Sequence, residues 1–394
     1  MFRFAVLFVS VCLASTSFAQ TSASVSTKNP ATPVQIVYAI DGSTLSTYNV
    51  DPQTLQATLA GTTTLLQSTY PGLVTSPNAH FLYYTAYQNI SQQGERLYVY
   101  NTNSSGVPNG EPIQSLSAQG VDSLQVSPAG TFLFLVHQGP AGEQFTPYAI
   151  VRFVINPNTG KISQGVTEAK YELDTGSGGS QSCSLLVFGM NAAGTKLYDE
   201  IFCSYHGGAS ATYNERTVDP QTGALGPDPQ VYSWNNSNRG GEQVQFVKNL
   251  VLDFVTPNNF QQDINVLNVY PLKPNVTTPL IQCTGSMLPA CADHSIGIPH
   301  PSAEYVFMTN VQQITEIDKV DLTSKQIVAT GSTIPYEVQQ FSPDGTIAYG
   351  VSDDINGDLT IEIYSFNIAT AAVTAGGTIS VPSDLDSWWA VERH

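Results

Sequence analysis

The segment SPDGTIAY at residues 342–349 combines a tight turn with the start of a β-strand. Proline presets the φ angle of its turn position, glycine accepts a positive φ angle, and an Asp or Asn side chain caps the turn. The apolar run that follows is typical of a strand. Related turn-and-strand segments recur at 76–84, 127–135, 191–198, 300–308 and, in a weaker copy, 247–254. This recurrence predicts a repeating unit that is built from strands.

A second type of turn separates these segments. Its clearest copies are VDPQT at 50–54, INPNTG at 155–160 and VDPQTG at 218–223, with degenerate copies at 320–324 and 366–370. Short alternating runs lie between the two turn types, and no window of similar length has helical periodicity. The unit is therefore four strands, a to d, with a period of about 42 to 64 residues, which is typical of a propeller blade.

Counting these units gives six complete blades and two fragments. The a-strands of the complete blades are expected near Leu73, Leu124, Leu185, Val244, Ile296 and Val338. The N-terminal fragment, 34–65, has b, c and d strands, and the C-terminal fragment, 385–391, is a single strand. Together they complete a seventh blade, which would remove open sheet edges and fix both termini. The sequence thus predicts an all-β, seven-bladed β-propeller of four-stranded antiparallel blades, closed by a blade shared between the N- and C-termini.

The two turn motifs resemble those of seven-bladed propellers of the lactonase-like, YVTN-type superfamily. The resemblance rests on SPDGTIAY at 342–349 and on the Asp-Pro-x-Thr-Gly pattern at 219–223, and it extends over nearly the whole chain after the leader. It implies the propeller architecture and, as one activity found in the superfamily, ring opening of lactones. The shared residues are turn formers, and one fold hosts many activities.

The N-terminus has the pattern of a secretory signal peptide. A basic residue, a short apolar run and small residues before a cleavage site near Ala19 predict a signal peptide at 1–19. A flexible Ser/Thr/Pro-rich lead-in at 20–33 and the propeller domain at 34–394 follow. The protein is therefore expected to be exported, to the periplasm or the extracellular medium. No later apolar run is long enough to span a bilayer.

Composition restricts the classes of partner. The formal net charge is −17, and only 11% of the residues are charged. Such an acidic chain repels phosphate backbones, so nucleic acid is excluded as a partner, and anionic membranes are disfavoured. A closed propeller has no obligatory sheet-edge partner, so a monomer is expected. No motif for a cofactor is present.

The cysteines that follow the signal peptide predict disulfides. An even number of cysteines in an exported chain favours two disulfides over a zinc or redox site. Folding the hairpin about Ala193 would place Cys183 opposite Cys203. Cys283 and Cys291 bracket a short loop and form the second expected pair.

The longer connections, b–c and d–a, are expected on one face of the propeller, and the tight a–b and c–d turns on the other. Long loops on a rigid scaffold usually hold the binding groups. The candidates for catalysis on this face are His294 as an acid/base group, with Arg239 and Glu242 to orient a substrate. Further candidates for the ligand face are His137 and His206 in b–c connections and Asp122, Glu337 and Asp386 near a-strand starts.

Each candidate also has a structural explanation. A histidine bound to a loop carbonyl, a local Arg239–Glu242 ion pair, solvent-exposed histidines and turn-capping acids would account for the same residues. Asp354, Asn356 and Asp358 resemble a calcium loop, but the distal Glu of an EF-hand is missing and Asn356-Gly357 favours a hairpin.

Two classes of function fit these features. The favoured class is an exported, non-catalytic scaffold that binds a small molecule, glycan or protein through its long-loop face. The alternative is a lactonase-like hydrolase acting at the mouth of the central channel, which the resemblance implies. Lactonase members tend to place His, Arg and Glu at a-strand starts in runs similar to Gly-Pro-Arg-His. This chain departs from that pattern, since its a-strands near 120–123 and 181–184 start with GVDS and QSCS.

Overall fold

A computed structural model describes residues 34–65, 72–86, 96–118, 121–139, 145–174, 181–205, 208–232, 242–255, 266–273, 276, 278–284, 294–310, 312–353, 359–381 and 385–393. Strands and turns make up this part of the chain, with no helix among these residues. Accordingly, none of the described residues belongs to a helix of the length and apolar character that crossing a membrane requires.

The strands form seven four-stranded antiparallel sheets, which are the blades of a propeller. Blade 1 contains β1 (Val34–Asp41), β2 (Thr44–Val50), β3 (Ala57–Thr64) and the last strand of the chain, β28 (Leu385–Arg393). Blade 2 contains β4 (Gly72–Thr75), β5 (Phe81–Ala86), β6 (Arg96–Asn101) and β7 (Gln114–Ser117). Blade 3 contains β8 (Val121–Val126), β9 (Phe132–Gln138), β10 (Phe145–Val154) and β11 (Val166–Asp174).

Four further blades follow in chain order. Blade 4 contains β12 (Gln181–Met190), β13 (Lys196–Tyr205), β14 (Gly208–Thr217) and β15 (Gln230–Tyr232). Blade 5 contains β16 (Glu242–Val247), β17 (Leu250–Val255), β18 (Val266–Pro271) and β19 (Ile281–Thr284). Blade 6 contains β20 (His294–Pro299), β21 (Tyr305–Asn310), β22 (Thr315–Asp321) and β23 (Gln326–Ile334). Blade 7 contains β24 (Glu337–Phe341), β25 (Ile347–Asp353), β26 (Leu359–Asn367) and β27 (Ala372–Val381).

The first strands of successive blades form the inner ring. β4, β8 and β12 contact one another in succession, and so do β16, β20 and β24. The strand order of blade 1 is β28-β1-β2-β3, so β28 takes the inner position there. The predicted a-strands near Leu73, Leu124, Leu185, Val244, Ile296 and Val338 all coincide with inner strands.

Blade 1 is shared between the two ends of the chain, and this prediction is confirmed. β28 pairs with β1 from Val34↔Arg393 to Asp41↔Leu385. Alternate side chains of β1 point to opposite faces of the blade. On one face Tyr38 packs in a cluster with Leu82 and Tyr84 of blade 2. On the other face Val37 packs with blade 7. β1, which pairs with β28, therefore joins blade 1 to both neighbouring blades.

The recurring turns have the hydrogen bonds that their sequences predict. The Ser342 hydroxyl accepts the Ile347 amide at 2.9 Å and donates to the Asp344 carboxylate at 2.6 Å, while Gly345 has a φ angle of 75°. In the second turn type, Asp219 accepts the amides of Gln221 and Thr222, each at 2.8 Å. These backbone hydrogen bonds lower the pKa of Asp219 below its ordinary value. The motif residues thus close turns.

Candidate functional site

One end of the inner ring is formed by the first two residues of each inner strand, and we call it the start rim. It comprises residues 72–73, 121–122, 181–182, 242–243, 294–295, 337–338 and 385–386. The second strand of each blade ends, and the third begins, at this same end. Connections at this end include 87–95 and 256–265, but those at the opposite end include 102–113, 155–165 and 218–229, so the expected contrast in loop length between the two faces was wrong. The start rim is one mouth of the central channel, and it is the end at which the inner strands carry the sequence candidates.

Five of the sequence candidates lie on the start rim: Asp122, Glu242, His294, Glu337 and Asp386. Four of them follow one another around the ring, because Glu242, His294 and Glu337 begin the inner strands of blades 5, 6 and 7 and Asp386 is the second residue of the inner strand of blade 1. No lysine or arginine occurs at any rim position. The rim is thus an acidic ring that contains one histidine.

Two of the acidic rim residues are the extra residues of β-bulges. The pairing of β8 with β9 passes from Val121 to Ser123 and leaves Asp122 without a partner in the ladder. The pairing of β28 with β1 likewise passes from Ser387 to Leu385 and leaves out Asp386. Bulges bend the strand locally and occur preferentially beside functional sites. With Ser295, which the pairing of β20 with β21 also leaves out, the backbone departs from regular pairing at three rim positions.

Glu337 is the rim candidate whose side chain the structure describes. It is half-buried, and its Oε1 accepts a hydrogen bond from Gln339 Nε2 at 3.0 Å. A hydroxyl of blade 6 holds the backbone on both sides of it: Thr315 Oγ1 donates to the Tyr336 carbonyl at 2.7 Å and accepts the Val338 amide at 3.1 Å. Blade 6 therefore fixes the position at which Glu337 enters the rim.

Thr315 is a contributor to the site that sequence reasoning missed. Its side chain is fully buried, and its hydroxyl also hydrogen-bonds the hydroxyl of Thr309 at 2.8 Å. Thr309 is the second-last residue of β21 and Thr315 is the first of β22, so both lie behind the rim. No signal in the sequence marks Thr315, because a threonine at the start of a strand is ordinary.

A second carboxyl of blade 7 lies behind the rim. Glu362 of β26 pairs with Gly350 of β25. Gly350 is close to the rim, because a Cβ atom added to it would lie 3.4 Å from the Glu337 carbonyl oxygen. Glu362 Oε1 accepts a hydrogen bond from Ser352 Oγ at 3.4 Å. Burial raises the pKa of Glu362 above its ordinary value. This carboxyl therefore keeps its proton to a higher pH than an exposed glutamate does.

For the other candidates the structure gives a strand position or a backbone position, or does not describe the residue. His137 lies within β9 instead of a connection, is half-buried and pairs with Val121, so the expected loop position was wrong. β9 extends to Gln138, further than the turn positions in the sequence predicted, and therefore includes His137. For Asp122, Glu242, His294 and Asp386 the structure describes the backbone position. Arg239 and His206 lie outside the described residues.

The Cys183–Cys203 disulfide is confirmed. The two residues oppose each other in the pairing of β12 with β13, and their Cα atoms are 4.0 Å apart. Cys183 is the third residue of β12, so the bond ties an inner strand to its neighbour directly behind the rim. Cys283 is also disulfide-bonded, whereas Cys291 lies outside the described residues.

The calcium candidates Asp354, Asn356 and Asp358 lie outside the described residues. The strands that flank them pair as an antiparallel hairpin up to Asp353↔Leu359. Within the described ranges, no three His, Cys, Asp or Glu side chains are grouped in a way that could hold a metal ion.

A small cavity lies at the opposite end of the propeller. It has a volume of about 110 Å³ and is lined by turn residues of blades 2 and 3, among them Pro77, Gly130 and Pro157. Ligand pockets usually have volumes of about 300–1,000 Å³. This cavity therefore does not compete with the start rim as a site for an organic ligand.

Comparison with known proteins gives structural likeness only. No family model matches the chain, and no curated protein does. The chain is similar to a putative 6-phosphogluconolactonase from Bacteroides fragilis, with a TM-score of 0.60 and 12% identity over 92% of this chain and 100% of the other. A second putative 6-phosphogluconolactonase, from Bacteroides uniformis, has a TM-score of 0.60 and 11% identity over 91% and 99% of the two chains.

A third similar structure is the periplasmic gluconolactonase PpgL of Pseudomonas aeruginosa. Its TM-score is 0.56, with 12% identity over 92% of this chain and 99% of the other. At such identities the likeness establishes a lactonase-like propeller fold and leaves the activity open, because one fold hosts many functions.

Proposed function

We propose that this protein is an exported propeller that binds a neutral, hydroxyl-rich small molecule at the start rim. The observation that carries the proposal is the ring position of Glu242, His294, Glu337 and Asp386, each within the first two residues of one of four consecutive inner strands. Carboxylates and imidazole accept hydrogen bonds from hydroxyl groups. A ring of such acceptors at a channel mouth suits a polyhydroxylated ring compound.

The charge of the rim defines the ligand class further. The rim positions carry acidic residues and no lysine or arginine, and negative charges repel phosphate and carboxylate groups and lower the rate at which anions arrive. The net charge of −17 acts in the same direction. A neutral sugar or sugar lactone therefore fits the rim better than a phosphorylated one.

Ring opening of an unphosphorylated sugar lactone is the second candidate. It is favoured by His294, which stands on the rim between two acidic positions, and by the names of the similar structures. In this reaction His294 takes a proton from water while the water oxygen attacks the lactone carbonyl. The ring C–O bond then breaks, the ring oxygen takes up the proton, and a hydroxy acid leaves. Glu242 and Arg239 would orient the substrate.

Export is part of the proposal. It is supported by the signal-peptide pattern at 1–19, by the Cys183–Cys203 disulfide, which is typical of oxidising compartments, and by the periplasmic location in the name of one similar structure.

Binding and hydrolysis are measured separately on the full chain. D-Glucono-1,5-lactam, a neutral analogue that does not hydrolyse, is titrated calorimetrically, and D-glucono-1,5-lactone turnover is followed by base consumption. His294→Ala and Glu242→Gln are expected to weaken lactam binding at least tenfold, which corresponds to about 1.4 kcal/mol. The control is Glu304→Gln, an exposed turn residue at the other end of blade 6, which is expected to bind as the wild type does.

The outcomes distinguish the two candidates. Lactam binding without turnover supports the binding scaffold. Turnover of the lactone that His294→Ala abolishes supports the hydrolase. If the wild-type protein neither binds the lactam nor opens the lactone, the proposed ligand class is wrong.

A further inference from the structure

A carboxyl group that the proposed function does not use is buried between blades 5 and 6. Asp318 lies in β22 with 1% of its surface exposed. Its Oδ2 has no hydrogen-bond partner in the part of the chain that the structure describes. Ionisation would leave this buried oxygen without a compensating donor among the described residues, which is strongly unfavourable.

The surroundings of Asp318 are apolar. It pairs with Val306 of β21 and Ala329 of β23, and directly opposed residues share one face of a sheet. Val306 belongs to a buried cluster that joins the two blades. The cluster contains Val306, Met308, Val320 and Ile327 from blade 6 and Leu252, Phe254, Leu267, Val269, Ile281 and Cys283 from blade 5.

Few charged groups of the described residues face Asp318. On its own strand, Glu316 lies two residues away on the same face and adds a negative charge. On blade 5, Asp253 alternates with the clustered Leu252 and Phe254 and so points away, toward Asn268, whose Nδ2 donates to it at 3.1 Å. Lys319, the next residue of β22, is exposed on the other face. No cation is therefore available in these elements to stabilise the Asp318 carboxylate.

We propose that the contact between blades 5 and 6 is a proton-dependent joint, which is tight while the Asp318 carboxyl is protonated and weakens when it ionises. Burial, reinforced by the charge of Glu316, raises the pKa of Asp318 from 3.8 to about 7. The joint lies behind the two inner strands that start at Glu242 and His294. The proposal does not depend on what the rim binds.

The direction of the pH dependence follows from this difference in pKa. Between about pH 4 and pH 7 the folded protein holds a proton on Asp318 that the unfolded chain has released. Rising pH therefore favours unfolding in this range. The contribution is complete below pH 4 and is lost as the pH passes 7.

Urea unfolding of the full chain at pH 5, 6, 7 and 8 tests the joint. The variants are Asp318→Asn and Asp318→Leu, neither of which can ionise, and the control is Glu304→Gln, which alters an exposed acid of the same blade. We expect the unfolding constant of the wild type to rise, relative to either variant, by up to tenfold per pH unit between pH 5 and 7. The control is expected to follow the wild type.

A change in packing alone would shift the stability of a variant equally at every pH. The proposal is overturned if the ratio of the wild-type and variant unfolding constants is the same from pH 5 to pH 8 for both Asp318 variants. The same holds if Glu304→Gln removes the pH dependence as effectively as the Asp318 variants do.

Discussion

Deleting residues 385–394 is expected to abolish the cooperative unfolding transition of the entire propeller. The deletion removes β28 and leaves the pairing edge of β1 open. The buried apolar residues of β1 all have 2% or less of their surface exposed; they are Ile36, Val37, Tyr38, Ala39 and Ile40. β1 packs against blade 2 with one face and against blade 7 with the other. Because β1 loses its pairing partner when β28 is deleted, both of these contacts weaken and the ring opens.

Scanning calorimetry and amide hydrogen exchange together check this expectation. Calorimetry should show no transition, or one that is lowered by more than 15 °C. Exchange at β12 and β13, in blade 4 on the far side of the ring, should increase as much as exchange at β2. If β12 and β13 keep wild-type protection while blade 1 alone exchanges faster, closure by β28 does not stabilise the ring.

Arg216→Met is expected to destabilise the protein by about 3–5 kcal/mol, because it leaves a buried carboxylate without its cation. Asp199 has no exposed surface, and Arg216 has 4%. Arg216 Nε donates to Asp199 Oδ2 at 2.9 Å, while Asn214 Nδ2 and the Tyr171 hydroxyl donate to Oδ1 at 2.7 and 3.0 Å. Burial raises the pKa of Asp199, and these donors oppose the effect.

The matched control is Lys196→Met in the same blade. Lys196 forms an ion pair with the buried Glu215 at 2.7 Å, but the Lys196 side chain is 42% exposed and Glu215 keeps a hydrogen bond from the Tyr232 hydroxyl at 3.0 Å, so the loss should be smaller than for Arg216→Met. The double variant Asp199→Leu/Arg216→Met should recover much of the loss, because it removes both charges of the buried pair. Chemical denaturation measures all three. Equal losses for Arg216→Met and Lys196→Met would contradict the account.

The architecture was predictable because short sequence motifs determine its turns and strands. The turn at 342–345 and the turn at 219–223 each close through hydrogen bonds between residues at most five positions apart. The shared blade followed from counting strands, and the Cys183–Cys203 pair followed from the symmetry of one hairpin. The turns and the disulfide could be inferred from the sequence close to the residues concerned, and the shared blade could be inferred from the order of the strands.

The chemistry behind the rim was not predictable, because it depends on how blades face one another. Thr315 holds the backbone on both sides of Glu337 from 21 and 23 residues away in the sequence. Tyr171 reaches Asp199 from the neighbouring blade. The burial of Asp318 likewise follows from the packing of blade 5 on blade 6. The bulges at Asp122 and Asp386 depend on register, and no glycine marks them in the sequence.

A crystal structure of the full chain with D-glucono-1,5-lactam tests the location of the site most directly. The account predicts lactam density in the channel mouth, with ligand hydroxyls at about 3 Å from carboxylate oxygens of the rim acids or from the His294 imidazole. Lactam bound at the opposite end, against the turns of blades 2 and 3, would contradict it. So would an empty rim in crystals grown at lactam concentrations that saturate the protein in solution.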